Sequence, residues 1–165
     1  MTIQNILRPV VDEKSELLIL GSMPGRISLD RQQYYGNERN HFWSILTTIF
    51  DEPIPEKYEE RLAFLLHHKI SLWDTIASCE RQGSLDSAIK KEIPNDFAWL
   101  FEQYPQIRKV LFNGGKAEQV FKKYYKQSGW PHIEFIRLPS TSPVPGKNVK
   151  SYDEKLVLWK EAIQK

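Results

Sequence analysis

The residues best equipped for chemistry gather in one stretch and at three loop ends of this 165-residue chain. Gly21-Ser22-Met23-Pro24-Gly25 is a glycine-bounded turn. The ten residues from Tyr34 then supply two tyrosines, Asn37, Asn40, His41 and a Phe42-Trp43 pair. The turn carries neither the Gly-Lys-Ser/Thr of a phosphate-binding P-loop nor the Gly-x-Gly-x-x-Gly of a dinucleotide site. Asp74 closes an apolar run and offers either a carboxylate or a cap for the segment from Thr75. Asn113, ahead of Gly114-Gly115, offers an amide or a turn. Pro139-Ser140-Thr141-Ser142-Pro143 is a rigid, hydroxyl-rich loop, and hydroxyls bind phosphate oxygens without reading sequence.

Other chemistries are excluded early. The single cysteine, Cys79, permits no internal disulfide, four-thiolate cluster or zinc site. His67 and His68 diverge on a helix while His41 and His132 stand alone, so no metal is expected. The longest aliphatic stretches fall far short of the ~20 residues that span a membrane. Met1–Glu16 has acids where a secretory apolar segment would sit, so a cytoplasmic location is expected. The net charge of +2 is unevenly spread, with nine Lys/Arg against two acids from Arg108 to Lys150. Such a half suits a polyanion or a solvated face.

Apolar patterning says what must position these residues. Leu17–Leu20, Ile70–Trp73, Arg108–Phe112 and His132–Leu138 read as short strands, each entering one of the loops above. Leu17–Leu20 is apolar throughout, which suits a parallel strand covered on both faces. Helical spacing predicts helices from Asn40 or His41 to Phe50, Lys57 to His68, and Tyr152 to Ile163. Two more are expected, one capped by Asn95 or Asp96 and one carrying Ala117, Val120, Phe121 and Tyr124. Met1–Val11 reads as a short helical packing segment. Thr75–Ser87 reads as irregular, and Ser84 or Asp86 as the cap of a brief helix through Lys90. Strands alternating with helices give βαβ units. The expectation is one α/β domain over residues 1–165, a three-layer αβα sandwich around a mainly parallel four-stranded sheet. An open sheet of this kind binds ligands beyond its strands' carboxyl ends.

The order Gly-Ser-Met-Pro-Gly, Tyr-Tyr-Gly-Asn-x-Arg-Asn-His-Phe-Trp and Leu-Pro-Ser-Thr-Ser-Pro resembles the uracil-DNA glycosylase superfamily. Within it, Leu72-Trp73-Asp74, Cys79-Glu80-Arg81 and Gly83–Ile89 look most like the hypoxanthine-DNA (deoxyinosine) glycosylase branch. Mismatch-specific uracil-DNA glycosylases come next, and the resemblance runs from Leu17 to Trp159. It implies a base flipped from the duplex, since a stacked base hides its sugar bond. It implies that Tyr35 stacks on that base, at ~1–3 kcal/mol. It also implies that Gly21, Ser22, Met23, Pro24, Phe42, Asp74 and Asn113 surround the base.

Most relatives carry Asp or Asn where this chain has Met23, a thioether that cannot orient water. The hypoxanthine branch uses an asparagine matched by Asn40, with Asn37 second. An amide is no general base near pH 7, but its oxygen can position water and favour positive sugar charge. Asn40 also suits a helix N-cap. Ser140, Thr141, Ser142 and Pro143 match the phosphate-gripping loop, with Lys147 and Lys150 adding salt-dependent contacts. Leu138 replaces the histidine of the best uracil-excising relatives, and Val144–Asn148 diverges from the branch. The expectation is a monomeric, cofactor-free and metal-free repair glycosylase that acts on deaminated bases in DNA, deoxyinosine first. Water is its nucleophile and no strand is cut. The alternatives are a uracil or mismatch glycosylase, or a DNA-binding domain of the same shape without catalysis.

Overall fold

The computed structural model describes residues 1–143 and 149–164. Four strands form the parallel sheet: β2 (Leu17–Gly21), β3 (Ile70–Asp74), β6 (Lys109–Asn113) and β7 (Glu134–Leu138), in the order β3-β2-β6-β7. All three pairings are parallel, as the unbroken apolar runs require. Register matters most for function. Gly21 pairs with Asp74, Leu20 with Phe112 and Asn113 with Leu138, so four strand ends meet along one edge.

Successive strand residues face opposite layers. Leu17 and Ile19 pack with α2 (Phe42–Ile49), α3 (Tyr58–His67) and α6 (Tyr152–Gln164). Leu18 and Leu20 pack against α4 (Phe97–Gln103) and α5 (Gly115–Tyr124). Each large apolar side chain so buried contributes ~1.5–3 kcal/mol. The three-layer α/β architecture is therefore as expected. Asp96 caps α4 by accepting from the Trp99 N–H at 3.0 Å.

Three expectations need correction. Met1–Val11 is not helical: β1 (Thr2–Gln4) pairs antiparallel with β4 (Ile76–Glu80), and Val10 bridges Leu72. Its apolar spacing mimics a helix, but two neighbouring strands supply its backbone partners. Thr75–Ser87 is not irregular throughout, since β4 occupies much of it and pairs with β5 (Lys90–Pro94). A 3-10 turn, Asp86–Ala88, stands where a capped helix was expected, with no side-chain cap. A short helix, α1 (Arg26–Arg31), also lies inside the first loop. The small sheet β1-β4-β5 backs the strand-end edge through Thr75 N–H to Gly21 O and Ile76 N–H to Ser22 O.

Candidate active site

A cavity of about 530 Å³ opens at the carboxyl edge of the parallel sheet, the size of a small-molecule site. Gly21 sets its floor. A Cβ there would lie 2.6 Å from Asp74 Oδ1 and 3.3 Å from the Tyr35 hydroxyl, so the missing side chain lets those groups converge. Behind the turn, Arg81 donates to Pro24 O at 2.6 Å and Ser22 Oγ donates to Asp86 Oδ1 at 2.6 Å. Gly21, Ser22 and Pro24 line the cavity. The Met23 side chain does not, packing instead with Ile76, Cys79, Ile89 and Val120. Met23 is thus a core residue of the small sheet and is no candidate for side-chain contact with a base.

The two tyrosines divide their tasks. Tyr34 is buried, donates its hydroxyl to Arg8 O at 2.7 Å, and gives its N–H to the Tyr58 hydroxyl. Tyr35 sits at φ 52°, which turns its ring across the first loop. One face of that ring stacks on Phe42 at 3.9 Å between centroids, 14° from parallel. Asn113 Nδ2 donates to its hydroxyl at 3.1 Å, and Trp43 Nε1 donates to its backbone oxygen. Phe42 is fully buried behind Tyr35 and is absent from the cavity wall. The expectation that Phe42 meets a base is therefore corrected, because it is the support on which the contacting ring rests.

Both candidate asparagines line the cavity. Asn40 Oδ1 accepts from the Phe42 N–H at 2.9 Å, capping the start of α2, and Asn37 Oδ1 accepts from the Arg39 N–H at 3.0 Å. Asn40 N–H also donates to Asn37 O, which fixes the turn. An amide oxygen accepts two hydrogen bonds, so each keeps one lone pair for another donor.

Asp74 is 4% exposed yet reaches the cavity wall. Asn5 Nδ2 donates to its Oδ2 at 3.0 Å and to Ile76 O, while Asn5 Oδ1 accepts from the Leu7 N–H. Burial is the main force that lifts the carboxyl from 3.8 to about 7. The Asn5 bond opposes that shift, Asp86's charge adds to it, and Arg81's charge opposes it. Burial, then the Asp74 charge, raises the Tyr35 phenol and keeps it protonated.

The fourth loop is knitted to the first. Asn113 Oδ1 accepts from the Thr141 N–H at 2.9 Å, and Asn113 Nδ2 donates to Thr141 Oγ1 as well as to Tyr35. His41 N–H donates to Thr141 O, and Trp159 Nε1 donates to Pro139 O. Asn113 is thus the clasp between two walls, with both its amide hydrogens engaged. Thr141 has no exposed surface and cannot offer a phosphate its N–H, and Ser142 N–H is spent on Ser140 Oγ at 3.1 Å. Of the expected phosphate-gripping residues, Ser140, Thr141, Ser142, Pro143 and Lys150 line the cavity. Lys147 lies outside the described residues.

Three contributors were not anticipated. Asn5 orients Asp74 from a separate strand, Ser84 Oγ accepts from the Arg26 N–H to close the rim, and Lys155 enters the wall from α6. Nothing in the local sequence marks Asn5 or Lys155. Ser84 lies in the Gly83–Ile89 stretch singled out by resemblance. Among the described residues no cluster of His, Cys, Asp and Glu can hold a metal ion, and no helix is long and apolar enough to cross a membrane.

A family model described as the uracil DNA glycosylase superfamily matches residues 8–163. A Methanosarcina barkeri protein named hypoxanthine DNA glycosylase is 37% identical over 95% of this chain and 96% of its own. A Methanosarcina acetivorans protein of the same name is 45% identical over 66% of this chain and 69% of its own. A solution NMR structure of a Methanosarcina acetivorans protein, provisionally assigned as a uracil DNA glycosylase, superposes with a TM-score of 0.83 at 35% identity. That match covers 99% of this chain and 98% of the other.

Proposed function

The chain belongs to the uracil DNA glycosylase superfamily and is a DNA glycosylase, and we propose that the base it releases first is hypoxanthine. The carrying observation is the buried Asp74 carboxyl at the cavity floor, held by Asn5. An ionised carboxylate only accepts hydrogen bonds. Deamination turns the N1 acceptor of adenine into the N1–H donor of hypoxanthine, so Asp74 accepts from the damaged base and repels the normal one. Uracil differs from cytosine in the same way at N3, which makes it the second substrate. The names of the relatives support hypoxanthine ahead of it.

The extruded base stacks on the face of Tyr35 that Phe42 leaves open. Asn40 Oδ1, with one lone pair committed to the Phe42 N–H, uses the other to hold a water. The water oxygen bonds to C1′ as the C1′–N9 bond breaks, and that electron pair passes into the purine and its carbonyl. The water's surplus proton leaves to solvent, and the departing purine anion takes a proton from solvent at a ring nitrogen. Asn40's amide dipole stabilises the positive charge that develops on the sugar. Water, not an amine, takes C1′, so the product is an abasic site in an intact strand. Deaminated bases in cytoplasmic DNA are the substrate.

Asn40→Ser tests this reading. Serine is as good a cap as asparagine, so thermal stability should hold within about 0.5 kcal/mol. Its hydroxyl is too short to reach the water, and excision from an inosine duplex should fall by about 10²–10³-fold. Unchanged excision would reduce Asn40 to a cap and sink the mechanism.

A further inference from the structure

Lys155 stands where a lysine is costly. It lies near the start of α6 and is 3% exposed, yet it lines the cavity. Lysine is almost never buried without a partner of opposite charge. Among the described residues no carboxylate pairs with it. Among the described residues its ammonium gives one long bond, 3.3 Å to Ser142 O, from three donors. Burial presses its pKa down, and its charge joins burial in pressing His41 down. The free protein therefore carries a buried cation that an anion would relieve.

Among the described residues the neighbouring loop keeps one backbone N–H for that anion, that of Ser140. Thr141 N–H is taken by Asn113 and Ser142 N–H by Ser140, while Pro139 and Pro143 have none to give. Ser140 Oγ, which accepts from Ser142, keeps its proton to donate. We infer that Lys155 Nζ, which lines the same cavity as Ser140, anchors one phosphodiester flanking the extruded nucleotide. A point charge on a flexible stem suits a phosphate oxygen. Neutralising a buried cation gives this contact more weight than a surface lysine would have. The inference rests on the glycosylase reading to the extent that DNA fills the cavity.

The test reads binding rather than base release. Wild type, Lys155→Met and Lys155→Arg are titrated with an inosine duplex across a salt series. Companion duplexes carry a neutral methylphosphonate at each phosphate flanking the lesion in turn. Lys155→Met should lower the slope of log affinity against log salt by about one, and arginine should restore it. At one flanking position the methylphosphonate should weaken wild type and leave Lys155→Met unmoved, a coupling that purely structural damage would not produce. A slope equal to wild type, or methylphosphonate effects that add fully in the variant at every position, would overturn the inference. If Lys155→Met fails a thermal-melt check, Lys155→Gln carries the same cycle. Base release with an unchanged slope defeats this inference alone. No base release with the predicted slope defeats the enzymatic reading alone.

Discussion

In the proposed reading Asp74 carries the selectivity, and its environment makes that selectivity depend on pH. Its folded pKa, about 7, lies above the ordinary 3.8, chiefly through burial. A carboxyl whose pKa is raised by folding binds its proton more tightly folded than unfolded. Its contribution to stability is therefore greatest below 3.8, falls as pH rises towards 7, and stays low above. Activity runs the other way, because the ionised form accepts N1–H. For an inosine duplex, kcat/KM should rise through about pH 7 and then level, and it reports the free enzyme. His41, pressed below its ordinary 6.5 by burial and then by Lys155, titrates beneath that window. Asp74→Asn should abolish the rise and raise the melting temperature above pH 7. An inflection that survives in Asp74→Asn would transfer the titration to another group.

At the scale of elements, the site depends on four strand ends brought to one edge by register. Gly21 is where the tolerance is smallest. In Gly21→Ala the new methyl would meet Asp74 Oδ1 at 2.6 Å, so the carboxylate must swing out of the cavity floor. The sheet pairing of β2 with β3 and β6 is made by backbone and survives. Inosine excision should therefore fall by at least about tenfold in an assay matched to a melt that shifts by only a few degrees. Equal losses in both would show that Gly21 serves the fold alone. The parallel sheet was legible in the sequence because Leu17–Gly21, Ile70–Asp74 and Lys109–Asn113 are buried throughout, which apolar runs announce. The small sheet was not: Lys90–Pro94 carries charges and a proline, and Ile76–Glu80 mixes serine, cysteine and glutamate. In the site, Tyr35, Asn40, Asp74 and Ser140 were readable as strand-end loop residues. The inward turn of Met23 and Phe42 was not, because facing is set by packing partners distant in sequence. Asn5 and Lys155 left no local sign at all, since a short strand and an amphipathic helix both read as scaffold.

Across the whole molecule, the basic half is less free than its composition suggests. Lys122 and Arg137 pair with Glu118, Lys123 pairs with Glu92, and Arg108 pairs with Glu16. Such surface pairs stabilise little, but they cancel charge that would otherwise attract a polyanion. Lys150 and Lys155 both line the cavity, together with Asp74 and Asp86. In the proposed reading, a cavity with an acceptor at its floor and a cation at its wall takes one extruded nucleotide. The most direct test is product analysis with enzyme in excess over an inosine duplex, quantifying free base and abasic sites together. The account predicts one free hypoxanthine per abasic site, strands intact until alkali is added, and adenine released at least about 100-fold more slowly from an undamaged control. Tight binding with inosine still in the strand, or adenine released at a comparable rate, would contradict it.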